Sequence, residues 1–228
     1  MEEKVSAIID ILKKKYPDPA CALHYTKDYE LMIAVRLSAQ CTDARVNLVT
    51  PALFAAYPTL EAMASADITD VERFVHSCGF YKHKARDIVL ACQMLLEKHD
   101  GKVPNSMEDL LALPGVGRKT ANLLLGDLYT VPGSVVCDTH CMRICERLGL
   151  SKGREPEKVE KQLRAVLPRR KAPIFAIGSC FSAGKFALLS ARNAANAPWR
   201  FSVRRSIVHE PCTFTEFFHL QQPFLVIS

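Results

Sequence analysis

The sequence has no apolar run of the roughly 18–20 residues that a membrane-spanning helix needs. Its start, Met1-Glu-Glu-Lys-Val5, has no basic segment followed by an apolar stretch, so we expect no secretory signal there. Glycine and proline supply only 10 and 13 of the 228 residues, and 49% are hydrophobic. This composition excludes collagen-like, low-complexity and disordered chains and leaves a globular protein with a substantial core.

The cysteines form no regular framework of pairs. There are nine of them, an odd number, which favours free thiols in a reducing cytosol over a disulfide-stapled secreted domain. We therefore expect a cytoplasmic protein. The net charge of +6 permits a polyanionic partner without proving one.

Strand-like alternation of polar and apolar residues is missing, and helical periodicity takes its place. The apolar spacing predicts helices over about residues 4–15, 29–47, 81–98 and 156–167. Capping signals predict the others: a short helix opened by Thr59, one with a Thr69–Glu72 capping box, 107–112 capped by Ser106, about 117–129, and 139–148 capped by Asp138 and ended by Gly149. The predicted fold class is all-α.

The composition changes abruptly near Pro168-Arg-Arg-Lys171. From residue 172 to 228 only Glu210 and Glu216 are acidic, against 22 acidic residues before, and eight of the 11 phenylalanines lie there. A variable extension explains this, and so does a change of reading frame.

The most informative stretch is Leu111-Ala-Leu-Pro-Gly-Val-Gly-Arg-Lys-Thr-Ala-Asn122. Its Pro114-Gly115-Val116-Gly117 turn permits positive φ and brings backbone N–H groups close to an anion, and a helix N-terminus follows. Together with Arg118, this predicts a grip on DNA phosphate that reads no base. The alternative is an ordinary helix–helix connection.

This stretch resembles the helix–hairpin–helix of the endonuclease III family of DNA glycosylases. Five further segments are similar: Leu37-Ser-Ala-Gln-Cys-Thr-Asp-Ala-Arg-Val-Asn47, Thr50-Pro-Ala-Leu-Phe54, Gly79-Phe-Tyr-Lys-His-Lys-Ala85, Val136-Cys-Asp-Thr-His140 and Arg147-Leu-Gly-Leu150. The resemblance covers about residues 1–170. It implies a helix–hairpin–helix glycosylase fold with two helical domains and a DNA cleft between them: residues 21–132 as a six-helix domain, 1–20 plus 133–171 as the second, and 172–228 as an atypical tail.

By that resemblance, Lys119 and Asp138 are the catalytic pair. A glycosylase that also cuts the strand needs an amine to attack the sugar C1′, and Lys119 lies two residues beyond the turn. Asp138, as an ionised cap, would stabilise developing positive charge and move protons. The alternatives are a phosphate contact for Lys119 and a simple helix cap for Asp138.

The implied function is base-excision repair: removal of oxidised pyrimidines from duplex DNA, then cleavage 3′ to the abasic site by β-elimination. The expected partner is double-stranded DNA with damaged bases or abasic sites. We expect the protein to act as a monomer and to bind no membrane. Gln40 resembles the residue that fills the gap left by the extruded nucleotide, or it is a helix residue bonded locally. Lys84 is interpreted as a phosphate contact, with a solvated helix face as the alternative.

The family usually carries a 4Fe-4S cluster held by Cys-x6-Cys-x2-Cys-x5-Cys, whereas only Cys180 and Cys212 follow residue 171. We therefore expect no metal ligands and no intact cluster in the chain as written. Codons for residues 186–187, 193–194, 196–197 and 202–203, read in another frame, can spell cysteines at that same spacing. This supports a frame change near residues 168–176.

Three rival interpretations stand beside this one. A monofunctional, adenine-removing glycosylase would not rely on the Lys119 amine. A non-catalytic module would use the hairpin only to bind DNA. An inactive product of a frameshifted gene would have the fold without the reaction.

Overall fold

The fold is seen in a computed structural model that describes residues 2–15 and 21–168. Across these residues the chain is helical and contains no strand, which confirms the all-α fold class. None of the helices in these two stretches is long and apolar enough to cross a membrane. The frame-change hypothesis and the tail from residue 172 lie outside the described residues.

The described residues form ten helices in chain order. Their bounds are α1 Glu2–Lys15, α2 Asp28–Ser38, α3 Asp43–Ala56, α4 Leu60–Ala64, α5 Ile68–Val75, α6 Tyr81–Lys98, α7 Met107–Ala112, α8 Arg118–Asp127, α9 Thr139–Arg147 and α10 Pro156–Val166. All belong to one compact unit.

The prediction of one long helix over 29–47 is wrong, because the helix is interrupted between α2 and α3. Gln40 adopts φ 54°, a left-handed conformation that no helix interior accommodates. Thr42 then begins α3 by accepting a hydrogen bond from the Arg45 N–H at 3.3 Å. Apolar periodicity continued across the break and concealed it.

The capping box predicted at Thr69 is also wrong, since α5 begins two residues earlier. Asp67 is its N-cap, and its carboxylate accepts the Thr69 N–H at 2.7 Å. The caps predicted at Thr59, Ser106 and Asp138 are confirmed, each side chain accepting a backbone N–H of its helix. Short polar side chains satisfy the unpaired first-turn N–H groups at each of these ends.

The main hydrophobic core surrounds α2 and α6. Its buried cluster runs from Leu23 to Leu125 and includes Leu31, Ile33 and Ile88. Helix α6 packs against α2, α4 and α5, and α2 also packs against α8. The buried hydrophobic side chains of α1, α9 and α10 do not belong to this cluster. Helix α8, whose N-terminus follows the hairpin turn, is therefore anchored in the core.

Candidate active site

The hairpin turn joins α7 to α8. Gly115 has φ 75°, and the Val116 N–H donates to the Leu113 carbonyl at 3.1 Å. The Val116 side chain is buried in the core cluster, so Val116 anchors the turn instead of facing solvent. Pro114 is partly exposed, and Gly115 and Gly117 are exposed. The turn thus presents glycine backbone on its outer side.

The two glycines of the turn differ in what surrounds them. A Cβ on Gly115 would lie 2.7 Å from Arg36 Cδ and 2.8 Å from Asp87 Oδ2. Those two side chains form an ion pair with Nη2 and Oδ2 2.6 Å apart, which supports the turn from behind. A Cβ on Gly117 would meet nothing within 4 Å. Gly115 is therefore required for packing, and Gly117 leaves an open approach to the N-terminus of α8.

Lys119 and Asp138 meet beside this turn. The Lys119 ammonium lies 3.8 Å from Asp138 Oδ2, with the lysine side chain 54% exposed and that of the aspartate 12% exposed. The other carboxylate oxygen, Oδ1, accepts the Cys141 N–H at 2.7 Å as the N-cap of α9. Asp138 is thus fixed by its own helix, whereas the amine remains accessible to a solute.

Asp43 is an acid near Lys119 that sequence reasoning missed. Withdrawal of water by the surrounding protein raises the pKa of Asp43, and the Lys119 ammonium opposes that rise. Asp43 stands in the first turn of α3, after the break at Gln40. Because 76 residues separate Asp43 from Lys119 along the chain, no local spacing could have revealed the proximity.

Arg118 points to the other side of the first turn of α8. Its Nε donates to Glu160 Oε2 at 2.7 Å, and Glu160, on α10, is 3% exposed. Arg164 holds the second oxygen of Glu160 at 2.9 Å and also donates to Asn122 at 3.0 Å. The hydrogen bond with Glu160 raises the pKa of Arg118. The side chain predicted to bind DNA is thus committed to an ion-pair network between α8 and α10.

The interpretation of Lys84 as a phosphate contact is corrected by its burial. Its side chain is 1% exposed, and Nζ donates to the Leu37 carbonyl at 2.9 Å inside the core. Burial lowers the pKa of Lys84. A lysine enclosed in this way cannot reach a DNA backbone, so its role is to join α6 to the end of α2.

Gln40 is exposed, as a DNA contact requires, and Phe80 is an exposed neighbour in the fold. A Cβ on Gly79 would lie 3.6 Å from the Gln40 carbonyl, so the two loops touch. Phe80 is 66% exposed and also left-handed, with φ 58°. Sequence reasoning did not single out Phe80, because a lone aromatic residue does not disclose its exposure.

The described residues do not fit a metal cluster. Among the side chains that the structure describes, no group of three or more His, Cys, Asp and Glu is arranged to hold a metal ion. The Sγ atoms of Cys141 and Cys145 lie 3.9 Å apart on α9, but both residues are fully buried. A hydrogen bond with Cys141 and burial raise the pKa of Cys137, which opposes the thiolate form that binds metal.

Three comparisons place the chain among known proteins. Residues 33–169 match the HhH-GPD superfamily of base excision DNA repair proteins. Endonuclease III of Synechocystis sp. is 45% identical over 168 residues, covering 74% of this chain and 77% of that protein. Endonuclease III of Escherichia coli K12 is 40% identical over 161 residues, covering 71% and 76%.

A solved non-covalent endonuclease III–DNA complex superposes with a TM-score of 0.78 at 34% identity, covering 90% of this chain and 95% of that one. A trapped endonuclease III–DNA covalent intermediate gives 0.77 at 34% identity, covering 87% and 93%. With the hairpin, the adjacent amine and the capping acid in the described fold, these matches leave one assignment. The chain belongs to the endonuclease III family of the HhH-GPD superfamily.

Proposed function

We propose that this chain is a base-excision-repair DNA glycosylase with an associated abasic-site lyase, acting on oxidised pyrimidines in duplex DNA. The observation that carries the proposal is the exposed Lys119 amine, 3.8 Å from Asp138 Oδ2 and two residues beyond the hairpin turn. The family membership and the solved relative trapped covalently on DNA support it.

In the first step the Lys119 amine attacks the sugar C1′. A C1′–N bond forms, the bond to the damaged base breaks, and the base leaves with the electron pair and takes up a proton. Opening of the sugar then gives an imine between Lys119 and C1′. The exposure of the side chain allows the amine to reach a sugar whose phosphate is held at the start of α8.

Asp138 serves as the charged partner in both steps. Its carboxylate stabilises the positive charge that develops on the sugar. Its Oδ2, which faces Lys119, is placed to move protons between the amine and the sugar. Loss of a C2′ proton then breaks the C3′–O3′ bond by β-elimination, and water releases Lys119 from the imine.

We propose that DNA is held by backbone around the turn and distorted by two side chains. Gly115, Gly117 and the first N–H groups of α8 present donors to a phosphate. Gln40 fills the space of the extruded nucleotide, and Phe80 wedges against a neighbouring base. Arg118 and Val116 shape the turn, since Glu160 and the core occupy their side chains.

We also propose the division into residues 21–132 and 1–20 plus 133–171. The main core cluster, from Leu23 to Leu125, falls within the first of these ranges, which supports the division. The chain as written supplies only Cys180 and Cys212 after residue 171, so we propose that it lacks the four-cysteine ligand set of the family. Its free cysteines support a cytoplasmic location.

The test uses the full chain and a duplex with one oxidised pyrimidine. We expect release of the base, cleavage of the strand 3′ to the resulting abasic site, and a covalent adduct when borohydride reduces the imine. Base release without cleavage or adduct would indicate a monofunctional glycosylase. Binding without base release would indicate a non-catalytic module, and absence of both would indicate an inactive product.

A further inference from the structure

An ion pair lies against the hairpin turn and joins two helices that are distant in sequence. Arg36, in the last turn of α2, donates from Nη2 and Nε to Asp87 Oδ2 at 2.6 and 2.9 Å. Asp87 lies on α6, 51 residues further along the chain. A Cβ on Gly115 would lie 2.7 Å from Arg36 Cδ and 2.8 Å from Asp87 Oδ2. Both side chains therefore pack against the backbone of the turn.

The pair is only partly shielded from solvent. The side chain of Arg36 is 21% exposed and that of Asp87 is 24% exposed, so neither is enclosed in the core. Both hydrogen bonds from Arg36 end on Oδ2 of Asp87, and none of the described residues donates to the other oxygen, Oδ1. A carboxylate with one open oxygen thus stands next to glycine backbone that we propose binds an anion.

The two charges of the pair act on a phosphate at this turn with opposite signs. The Asp87 carboxylate repels a phosphate, whereas the Arg36 guanidinium attracts it, and salt screens partly buried charges less than fully exposed ones. While the ion pair is intact, the two effects largely cancel. Asp87 without Arg36 would oppose DNA binding, and Arg36 without Asp87 would strengthen it.

We propose that the Arg36–Asp87 pair sets how tightly the hairpin holds DNA phosphate, a role that rests on the proposed function for DNA binding but not on the chemistry at Lys119. Arg36 neutralises Asp87 and so permits a phosphate to approach the turn. Asp87 in turn holds the guanidinium and prevents Arg36 from adding a further cation to the phosphate site. The pair thereby limits the affinity for any duplex.

This limit applies equally to damaged and undamaged DNA, because a phosphate contact carries no sequence information. The pair therefore affects how long the protein stays on a duplex and leaves the choice of base to other residues. For a protein that must leave intact DNA in order to find a lesion, weaker non-specific binding shortens each unproductive encounter.

The test measures dissociation constants of the full chain for an undamaged duplex and for one with a tetrahydrofuran abasic analogue, at several salt concentrations. Asp87→Asn should bind both duplexes about threefold to tenfold more tightly. Its plot of log affinity against log salt should steepen by about 0.9, the value for one additional phosphate contact. Arg36→Met should bind both about tenfold more weakly, because it leaves Asp87 unpaired. The double variant should return to within about twofold of the parent chain.

The Arg73–Asp70 pair supplies a matched control within the same chain. It has the same residue types, with Nη1 and Oδ1 2.8 Å apart, but it lies within α5 and both side chains are exposed. Asp70→Asn makes the same change of charge there. Because exposed charges are strongly screened, its affinity for either duplex should differ from that of the parent chain by less than about twofold.

A purely structural role for the pair predicts that Arg36→Met and Asp87→Asn both weaken binding and that the double variant recovers nothing. That result would overturn the proposal, and so would an equal gain in affinity from Asp70→Asn. If Arg36→Met does not fold, Asp87→Asn still decides the question, because loss of a structural contact does not tighten binding. A parent chain that binds both duplexes but releases no oxidised base would refute the proposed function, while the affinities would still decide the role of the pair.

Discussion

The first turn of α8 has two sides, and its adjacent cations are used in opposite ways. Arg118 faces α10, where Glu160, 3% exposed, holds it at 2.7 Å. Lys119 faces α9 and α3, where Asp138 Oδ2 stands 3.8 Å away and over half of the lysine side chain is exposed. A short ion pair with a buried partner fixes a helix, whereas a longer pair with an exposed lysine leaves an amine free to react.

This difference explains how the start of one helix can be both rigid and reactive. The Arg118–Glu160–Arg164 network holds α8 against α10, and the Arg36–Asp87 pair supports the turn in front of it. Lys119 needs no further support, because the helix itself sets the position of its Cα. Replacing each of these cations in turn tests whether Arg118 and Lys119 have different roles.

Lys119→Met removes the proposed nucleophile and has the largest expected effect. Base excision and strand cleavage should fall by about 10³-fold or more, because loss of a nucleophile removes the covalent route. Stability should change by no more than about 0.5 kcal/mol, as for other exposed positions. Single-turnover cleavage and thermal unfolding measure the two. Retained activity would contradict the role of the amine.

Asp138→Asn separates charge from capping, since asparagine also caps helices well. We expect single-turnover excision to fall by about 10²-fold with stability nearly unchanged, because the charge that stabilises the sugar cation is lost. Asp138→Ala should add a loss of about 1 kcal/mol from the missing cap. Equal activity of Asp138→Asn and the parent chain would show that Asp138 is a cap only.

Arg118→Met should damage stability more than chemistry. It leaves Glu160 buried with Arg164 alone, and we expect a loss of about 2–3 kcal/mol in denaturant unfolding. Borohydride trapping at a temperature where the variant is folded should be retained. If trapping were lost in the folded variant while stability held, the assignment of the two sides of α8 would be reversed.

Gly115→Ala and Gly117→Ala test the different roles of the two glycines in the turn. Gly115→Ala imposes a positive φ and a clash with the Arg36–Asp87 pair, so we expect a loss of about 1–3 kcal/mol together with weaker DNA binding. Gly117→Ala meets no neighbour and should keep its stability while binding DNA more weakly, because its methyl group covers the phosphate approach. Unchanged DNA affinity in Gly117→Ala would contradict that approach.

Lys84→Met replaces a cation in the core and has the smallest expected effect of these substitutions. Burial lowers the pKa of Lys84 in the fold, so the unfolded chain binds more protons between that lowered value and 10.5. Stability relative to Lys84→Met should therefore rise as the pH increases towards 10.5. Urea unfolding at several pH values measures it, and a flat difference would show that Lys84 is not desolvated.

Local signals in the sequence were sufficient for most helix boundaries, whereas the pairing of Lys119 with Asp138 was predicted from the family resemblance. Ser106 and Asp138 are caps whose effect extends only a few residues, so spacing alone locates them. Asp43 and Glu160 approach α8 from distant parts of the chain, and no pattern of spacing encodes that approach. Lys84 was misassigned because a lysine in a charged segment is usually solvated, whereas here a core carbonyl binds it.

The role of Lys119 as the nucleophile is tested by locating the protein atom that bonds to DNA. The full chain is reduced with borohydride on a duplex containing an abasic site, digested with a protease, and the adduct is assigned by tandem mass spectrometry. We expect a sugar remnant on Nζ of Lys119. A remnant on another amine, or none on a protein that binds the duplex, would contradict it.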